Sequence, residues 1–296
     1  MPTTSIRTEP LNPRFGVRVS GLDLHEAAEG GAAWDAVRDL FERHSLLLFQ
    51  GQRIDDETHL KLNALFGPVE VRSKAVPKPP ATVSRVSNVL PDGSVMPPDA
   101  ARLKDLRANM LWHTDSTFLP VPALVNVIRA EVVPTHGGTS EFATTRAAFA
   151  DMPEAMRATL RGAVLLHNYG HSRSKIDPDI TKLDHIAMWE PTKWRAVWPN
   201  PVTGEDAVYI ASHAYGIRGW AEAEAQAFIQ EVIAFCTQPE YVYTHNWTVG
   251  DVLMWDERAT LHRGMPWPYD QARTLCSACS SVTESDGLAA VTPQAA

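Results

Sequence analysis

The stretch DVLMWDERATLHRGMPWPYDQARTLCSACSSV, residues 251–282, reads as two short strands joined across a turn. DVLMWD (251–256) and ARTLCSACSSV (272–282) are the β-like runs, and Gly264, Pro266, Pro268 and Asp270 between them are chain-bending residues. Similar runs recur upstream: FGVRVSGLDL (15–24) with Gly21 as a bend, SLLLF (45–49), VNVIRAEVV (125–133), AVLLHNY (163–169) and DAVYIASHAY (206–215). Helical spacing appears over Ala32–His44, where Trp34, Val37, Leu40 and Phe41 share a face, and over 55–66, which opens on Asp55, Asp56 and Glu57 and stops at Gly67-Pro68. Two further helices are expected at about 146–161 and 221–236. Many short strands around a few helices predict one domain over 1–296, mainly β with flanking helices. Residues 70–112, rich in Pro, Ser, Lys and Arg, read as a loop over the rest, and 170–205 as a second lid-like insertion. The last ten residues read as a frayed tail.

Composition removes several classes of function. The net charge of −8 leaves no basic footprint for nucleic acid, and no lysine- or arginine-rich amphipathic stretch suits a membrane surface. No apolar run is long enough for a signal peptide or a membrane span. Three cysteines, Cys236, Cys276 and Cys279, suggest a reducing compartment, so a cytoplasmic location is expected. Cys276 and Cys279 form a CxxC with no second pair to complete a zinc site, and read as two strand thiols. GxGxxG, P-loop and GxSxG motifs are all absent. A homo-oligomer acting on a small molecule is expected.

Among 11 histidines, only His113 has a carboxylate two residues on, in Trp112-His113-Thr114-Asp115. On an extended chain residues i and i+2 share a face, so this imidazole and carboxylate can grip one metal. Such a pair alone is weak, because about one is expected by chance. His262, beyond the strand ending near Asp256, adds a second imidazole. Two histidines and one carboxylate make the facial triad that holds non-haem iron(II) with three positions open. Two open positions suit the keto acid end of 2-oxoglutarate and the third suits dioxygen. Arg273, eleven residues past His262, offers the planar fork that a distal carboxylate needs.

These motifs resemble the taurine and 2,4-dichlorophenoxyacetate dioxygenases. The likeness runs through VSGLDL (19–24), LLLFQGQ (46–52), LFGPVE (65–70), VSNVLPDG (86–93), WHTDSTF (112–118), GGTSEF (137–142), YVYTHNWTVGDVLMWD (241–256) and MWDERATLHRG (254–264). The VSNVLPDG stretch and the run through Asp251 are nearer the phenoxyacetate branch. The resemblance implies a double-stranded β-helix, the cupin-like jelly roll. It implies Fe(II) on His113, Asp115 and His262, with 2-oxoglutarate and O2 as co-substrates and succinate and carbon dioxide as products. It further implies that Arg273 holds the distal carboxylate, that Ser140 assists where relatives carry threonine, and that Asn109 lines the co-substrate and substrate pocket.

Two departures bear on the substrate. Many relatives carry an arginine fifteen residues after the distal histidine, where this chain has Ser277. The family often has WDN where this chain has Trp255-Asp256-Glu257. Arg72 and Lys74 fall near a substrate-facing lysine of relatives, or are solvated loop charges. Trp189, Trp194 and Trp198 form either a lid over an aromatic substrate or core and oligomer packing. His167, Tyr169, His171 and Arg173 line a pocket or decorate a strand end, and His213 and His245 read as structural. The expected activity is hydroxylation or oxidative cleavage of a small aromatic or alicyclic molecule. A phenoxyalkanoate ether-cleaving enzyme, a zinc hydrolase and a non-catalytic cupin-like binding protein are the alternatives.

Overall fold

The computed structural model describes residues 5–97 and 99–294. The chain opens with β1 (Arg7–Pro10), β2 (Val17–Ser20), α1 (Leu24–Ala28), α2 (Gly31–His44), β3 (Leu46–Phe49) and α3 (Asp56–Phe66). Asp55 caps α3 by accepting from the Thr58 amide at 2.8 Å. Then come β4 (Ser84–Ser87), α4 (Ala101–Arg107), β5 (Ala123–Val132), β6 (Ser140–Thr144), α5 (Thr145–Asp151) and α6 (Glu154–Gly162). The middle of the chain holds β7 (Val164–His167), α7 (Tyr169–Ser174), α8 (Asp184–Ala187), β8 (Thr192–Arg195), β9 (Val197–Pro199), β10 (Asp206–Val208) and β11 (Ala214–Ile217). It ends with α9 (Glu222–Cys236), β12 (Val242–His245), β13 (Val252–Asp256), β14 (Thr260–Gly264), β15 (Thr274–Ser281) and α10 (Leu288–Val291).

The architecture is mainly β with helices. A seven-stranded sheet runs β1-β2-β3-β13-β5-β15-β4, and a three-stranded sheet runs β12-β6-β14. Alternation along the strands builds a core on each face of the large sheet. Leu47, Phe49, Val125, Val127, Val252 and Met254 point toward the helices and pack with Val37, Phe41, Leu62 and Phe66 of α2 and α3. Their neighbours Leu46, Leu48, Ile128, Leu253, Trp255 and Leu275 point the other way, onto Phe142 of the small sheet. The far side of the small sheet, through Ala143 and Leu261, packs with Phe149 of α5 and Ile229 of α9. The space between the two sheets is therefore walled by alternate residues of β5, β6, β14 and β15.

Three sequence expectations need correction. Residues 70–112 are not loop throughout, since β4 pairs with β15 at the edge of the large sheet and α4 follows. SRVS is too polar and α4, with only Leu103 buried, too short to signal either element. DAVYIASHAY is two strands separated by residues 209–213, where the Ser212 amide donates to the Trp112 carbonyl at 3.0 Å. The tail does not fray as a whole: Val291 is fully buried, and the nearby Asp286 carbonyl accepts from the Trp198 indole at 3.1 Å. Of the two readings of the tryptophans, the lid fails for Trp194 and Trp198, which belong to the helix-side core, while Trp189 packs against the cluster of Phe118, Tyr169 and Ile186. Cys276 and Cys279 are free thiols on opposite faces of β15.

Two fully buried histidines lack partners for part or all of their rings. His59 shares one nitrogen with the Val127 carbonyl at 3.0 Å, and neither nitrogen of His167 is bonded among the described residues. Burial pushes His59 down to about 4 and His167 down to about 3. Both stay neutral in the fold, whereas the unfolded chain takes up protons below about pH 6.5. The unfolded state then binds more protons, so stability must fall as pH drops from about 6.5 toward the folded values. We expect the urea midpoint to fall across this window and to fall less steeply in His167→Leu. An identical pH slope in the variant would show that His167 is not a source of it.

Candidate active site

His113 and His262 meet through a reciprocal pair of backbone hydrogen bonds, His113 N–H to His262 O at 3.0 Å and His262 N–H to His113 O at 2.8 Å. Their rings lie 4.1 Å apart, centroid to centroid. Thr114 turns the opposite way, its hydroxyl reaching the Ile210 and Thr260 carbonyls, so Asp115 returns to the face of His113. One donor atom from each of His113, Asp115 and His262 lies within 4.8 Å of the others, a span that one ion can bridge. The His113 Nδ1–H donates to the Leu111 carbonyl at 2.7 Å, which leaves Nε2 as the lone-pair nitrogen. The His262 Nε2 lies 3.8 Å from Asp115 Oδ2.

The electrostatics suit a cation. Burial lowers the pKa of His113 and pushes His262 down to about 3, so both imidazoles are neutral and able to ligate. Burial alone would raise Asp115. Attraction to His262 in its protonated form, to Arg72 and to protonated His113, with the Asn126 amide, outweighs it and holds Asp115 below the usual carboxylate range. The Asn126 amide donates to Asp115 Oδ2 at 2.7 Å, and Ser277 in turn donates to Asn126 Oδ1 at 2.8 Å. The Asp115 backbone N–H donates to the buried Glu257 at 2.9 Å.

These ligands open into a cavity of about 530 Å³ that Arg273, Ser140, Asn109, Ser277, Arg72 and Arg173 also line. Arg273 is 4% exposed, lies over the Trp267 ring at 4.9 Å and donates through Nε and Nη2 to the Gly138 carbonyl. Gly138, at φ +67°, permits this approach, because a Cβ there would stand 3.0 Å from Arg273 Nε. Among the described residues no carboxylate pairs with Arg273, and burial pushes its pKa down to about 10. A buried guanidinium with spare donors and no acid is a fitting seat for an anionic ligand. Ser140 sits nearby on β6, accepting from the Trp247 indole at 3.0 Å.

The remaining sequence candidates divide. Arg72 faces the ligands, donating to Ser116 at 3.1 Å and standing 3.8 Å from Asp115. Arg173 is committed elsewhere: it pairs with Asp105 at 3.2 Å, bonds to the Tyr169 hydroxyl at 2.8 Å and reaches Asn109 at 3.4 Å. Lys74 and Trp189 lie outside this cavity, stacked on each other, with the Lys74 ammonium donating to the Met188 carbonyl. His213, read as structural, lines the cavity with its ring edge-on to His113. His245 is buried against Asp251 at 3.1 Å. Sequence reasoning missed Asn126 and Glu70, although Asn126 stands out as the amide in the apolar run VNVI.

Comparison with known proteins agrees with this geometry. Residues 7–279 match the family described as taurine catabolism dioxygenase TauD, TfdA family. The alpha-ketoglutarate-dependent 2,4-dichlorophenoxyacetate dioxygenase of Cupriavidus pinatubonensis is 34% identical, over 92% of this chain and 96% of its own. The (S)-phenoxypropionate/alpha-ketoglutarate-dioxygenase of Sphingobium herbicidovorans is 33% identical, over 90% and 91%. The crystal structure of AAD-2 with Mn(II) and N-oxalylglycine superposes with a TM-score of 0.85 at 30% identity, covering 98% of this chain and 100% of that one. With the family model spanning nearly the whole chain, this protein belongs to the TauD/TfdA dioxygenase family.

Proposed function

We propose that this chain, an iron(II)- and 2-oxoglutarate-dependent dioxygenase, oxidises a small aromatic or alicyclic acid whose carboxylate meets Arg72. One observation carries the reading: a single cavity joins the His113–Asp115–His262 cluster, the unpaired Arg273 and the Arg72 guanidinium. In this reading the two facing sheets form a double-stranded β-helix. His113, Asp115 and His262 hold the metal. Arg273 takes the distal carboxylate of 2-oxoglutarate through two parallel hydrogen bonds, and Ser140 adds a neutral donor. When bound, iron(II) would activate dioxygen, the oxidant, which takes two electrons from 2-oxoglutarate as that becomes succinate and carbon dioxide and two from the substrate as it is hydroxylated.

The protein's own part is positioning and exclusion of water. Phe118, Ile128, Leu106, Met110 and Leu275 give the cavity apolar walls, suited to a ring. Arg72 lies over Phe118 at 5.9 Å, so a cation and an aromatic face stand side by side. The relatives named above are named for aryloxy acids, which combine a ring with a carboxylate. Hydroxylation at a carbon bearing an ether oxygen gives a hemiacetal that collapses, so such an acid would be cleaved. Ser277 supports a substrate unlike taurine, because it leaves a neutral wall where relatives place an anion-binding arginine. Its hydroxyl is also already used on Asn126.

For Arg273→Lys we expect the 2-oxoglutarate KM to rise about ten- to a hundredfold, the equivalent of roughly 1.5–3 kcal/mol for a lost charge-assisted pair. Mn(II) affinity should stay unchanged. An unaltered KM would remove Arg273 from the co-substrate seat. Succinate release should discriminate an aryloxy acid from its neutral amide in the wild type, and taurine should give none above background. In Arg72→Met that acid-over-amide preference should fall by about tenfold or more. A preference that survives the change would mean that another group holds the carboxylate.

A further inference from the structure

We propose that Glu257 is a positioning residue that aims His262 at the metal and braces the turn carrying Asp115, and that it thereby sets metal affinity. The inference rests on the reading of His113, Asp115 and His262 as ligands, and goes beyond it.

Glu257 stands in the turn between β13 and β14 and is fully buried. Its backbone N–H donates to the Leu124 carbonyl at 2.9 Å, which anchors the turn to the start of β5. Its Oε2 accepts from the Asp115 N–H at 2.9 Å and lies 4.0 Å from His262 Nδ1. One carboxylate oxygen thus faces two of the three ligands, which come from distant parts of the sequence. The His262 Nδ1 and Glu257 Oε1 are both buried with no hydrogen-bond partner among the described residues.

The tautomer supplies the argument. His262 Nε2 is the nitrogen on the Asp115 side, at 3.8 Å, so it must offer the lone pair to a shared ion. In a neutral imidazole the proton then sits on Nδ1, and a buried N–H needs an acceptor. The Glu257 carboxylate stands next to it, and an approach of about 1 Å would bring it to hydrogen-bond length. The two histidines are consequently oriented by different means. His113 leans on the backbone carbonyl of Leu111. His262 leans on a side chain, and so depends on a residue that substitution can remove. A carboxylate behind a ligating imidazole strengthens its basicity as well as its aim, and losing such support commonly costs ten- to a hundredfold in metal affinity.

The test measures Mn(II) binding by electron paramagnetic resonance, with neither 2-oxoglutarate nor substrate present. Urea denaturation of the metal-free protein runs in parallel. In Glu257→Gln the Mn(II) dissociation constant should rise about tenfold or more, and further in Glu257→Ala. The metal-free Gln variant should be as stable as the wild type or more so, because an acid without a cationic partner leaves the interior. Glu257→Asp, whose shorter carboxylate cannot reach both partners, should not restore the affinity. Equal dissociation constants in wild type, Gln and Ala would overturn the proposal while leaving the ligand reading intact. So would a loss of affinity in Gln matched by an equal loss of metal-free stability. Wild-type protein that binds no Mn(II) would overturn both. If Glu257→Ala does not fold, the Gln variant decides alone.

Discussion

Two backbone hydrogen bonds, at 3.0 and 2.8 Å, tie His113 to His262 and fix the separation of their side chains before any ligand arrives. The small sheet brings His262 to this junction opposite Phe142, and the junction closes the chain between α4 and β5 onto the same sheet. Because backbone groups make the link, it does not depend on side-chain rotamers, which hold geometry less firmly. Asp115 then follows from local chemistry. Thr114 is drawn toward the Ile210 and Thr260 carbonyls, and the next residue is turned back to the histidines. A metal cluster assembled in this way pays its ordering cost during folding rather than on binding.

The cavity also separates its charges along its length. At one end stand Asp115 and Glu70, with Arg72 against them. At the other stands Arg273, desolvated, bonded to the Gly138 carbonyl and stacked on the Trp267 ring, with no carboxylate partner among the described residues. A ligand that joins the two ends must carry anionic oxygen at one terminus and approach a cation with the other. A dicarboxylate chelating a metal meets both demands. A single charge on a ligand of this length would leave one end uncompensated in an interior where that is costly.

Legibility in the sequence followed the range of the forces involved. Helix α3 could be read from Asp55 and Gly67 because caps and breakers act within a few residues. His113 and Asp115 could be read because the period of an extended chain is local, and Arg273 because eleven residues suffice to turn back from His262. Asn126 stayed hidden, and Glu257 showed only as a departure from the family pattern, without its role. Their meaning lies in contacts with Asp115, which no spacing rule connects to either. Trp194 and Trp198 left two readings open for the opposite reason. Aromatic density marks buried area without saying whether a core or a ligand will cover it, and here the core does. β4 was lost among prolines and charges because an edge strand needs no apolar alternation.

Strand β15 is a boundary with two independent sides. Leu275, Ser277 and Cys279 border the cavity and Cys276 lies on the opposite face, each step of the backbone switching from one side to the other. The ladder pairing of the strand with β5 and β4 uses main-chain atoms and is indifferent to side-chain identity, while the Thr274 and Ser277 hydroxyls add separate bonds to Ser87 and Asn126. Residues of the cavity side can therefore be exchanged without disturbing the packing beneath them, and those beneath can be repacked without altering what the cavity admits. Such insulation allows a lineage to change what it consumes through single substitutions on one strand while inheriting its stability unaltered. Ser277, on the cavity side, is a position where such a step would act.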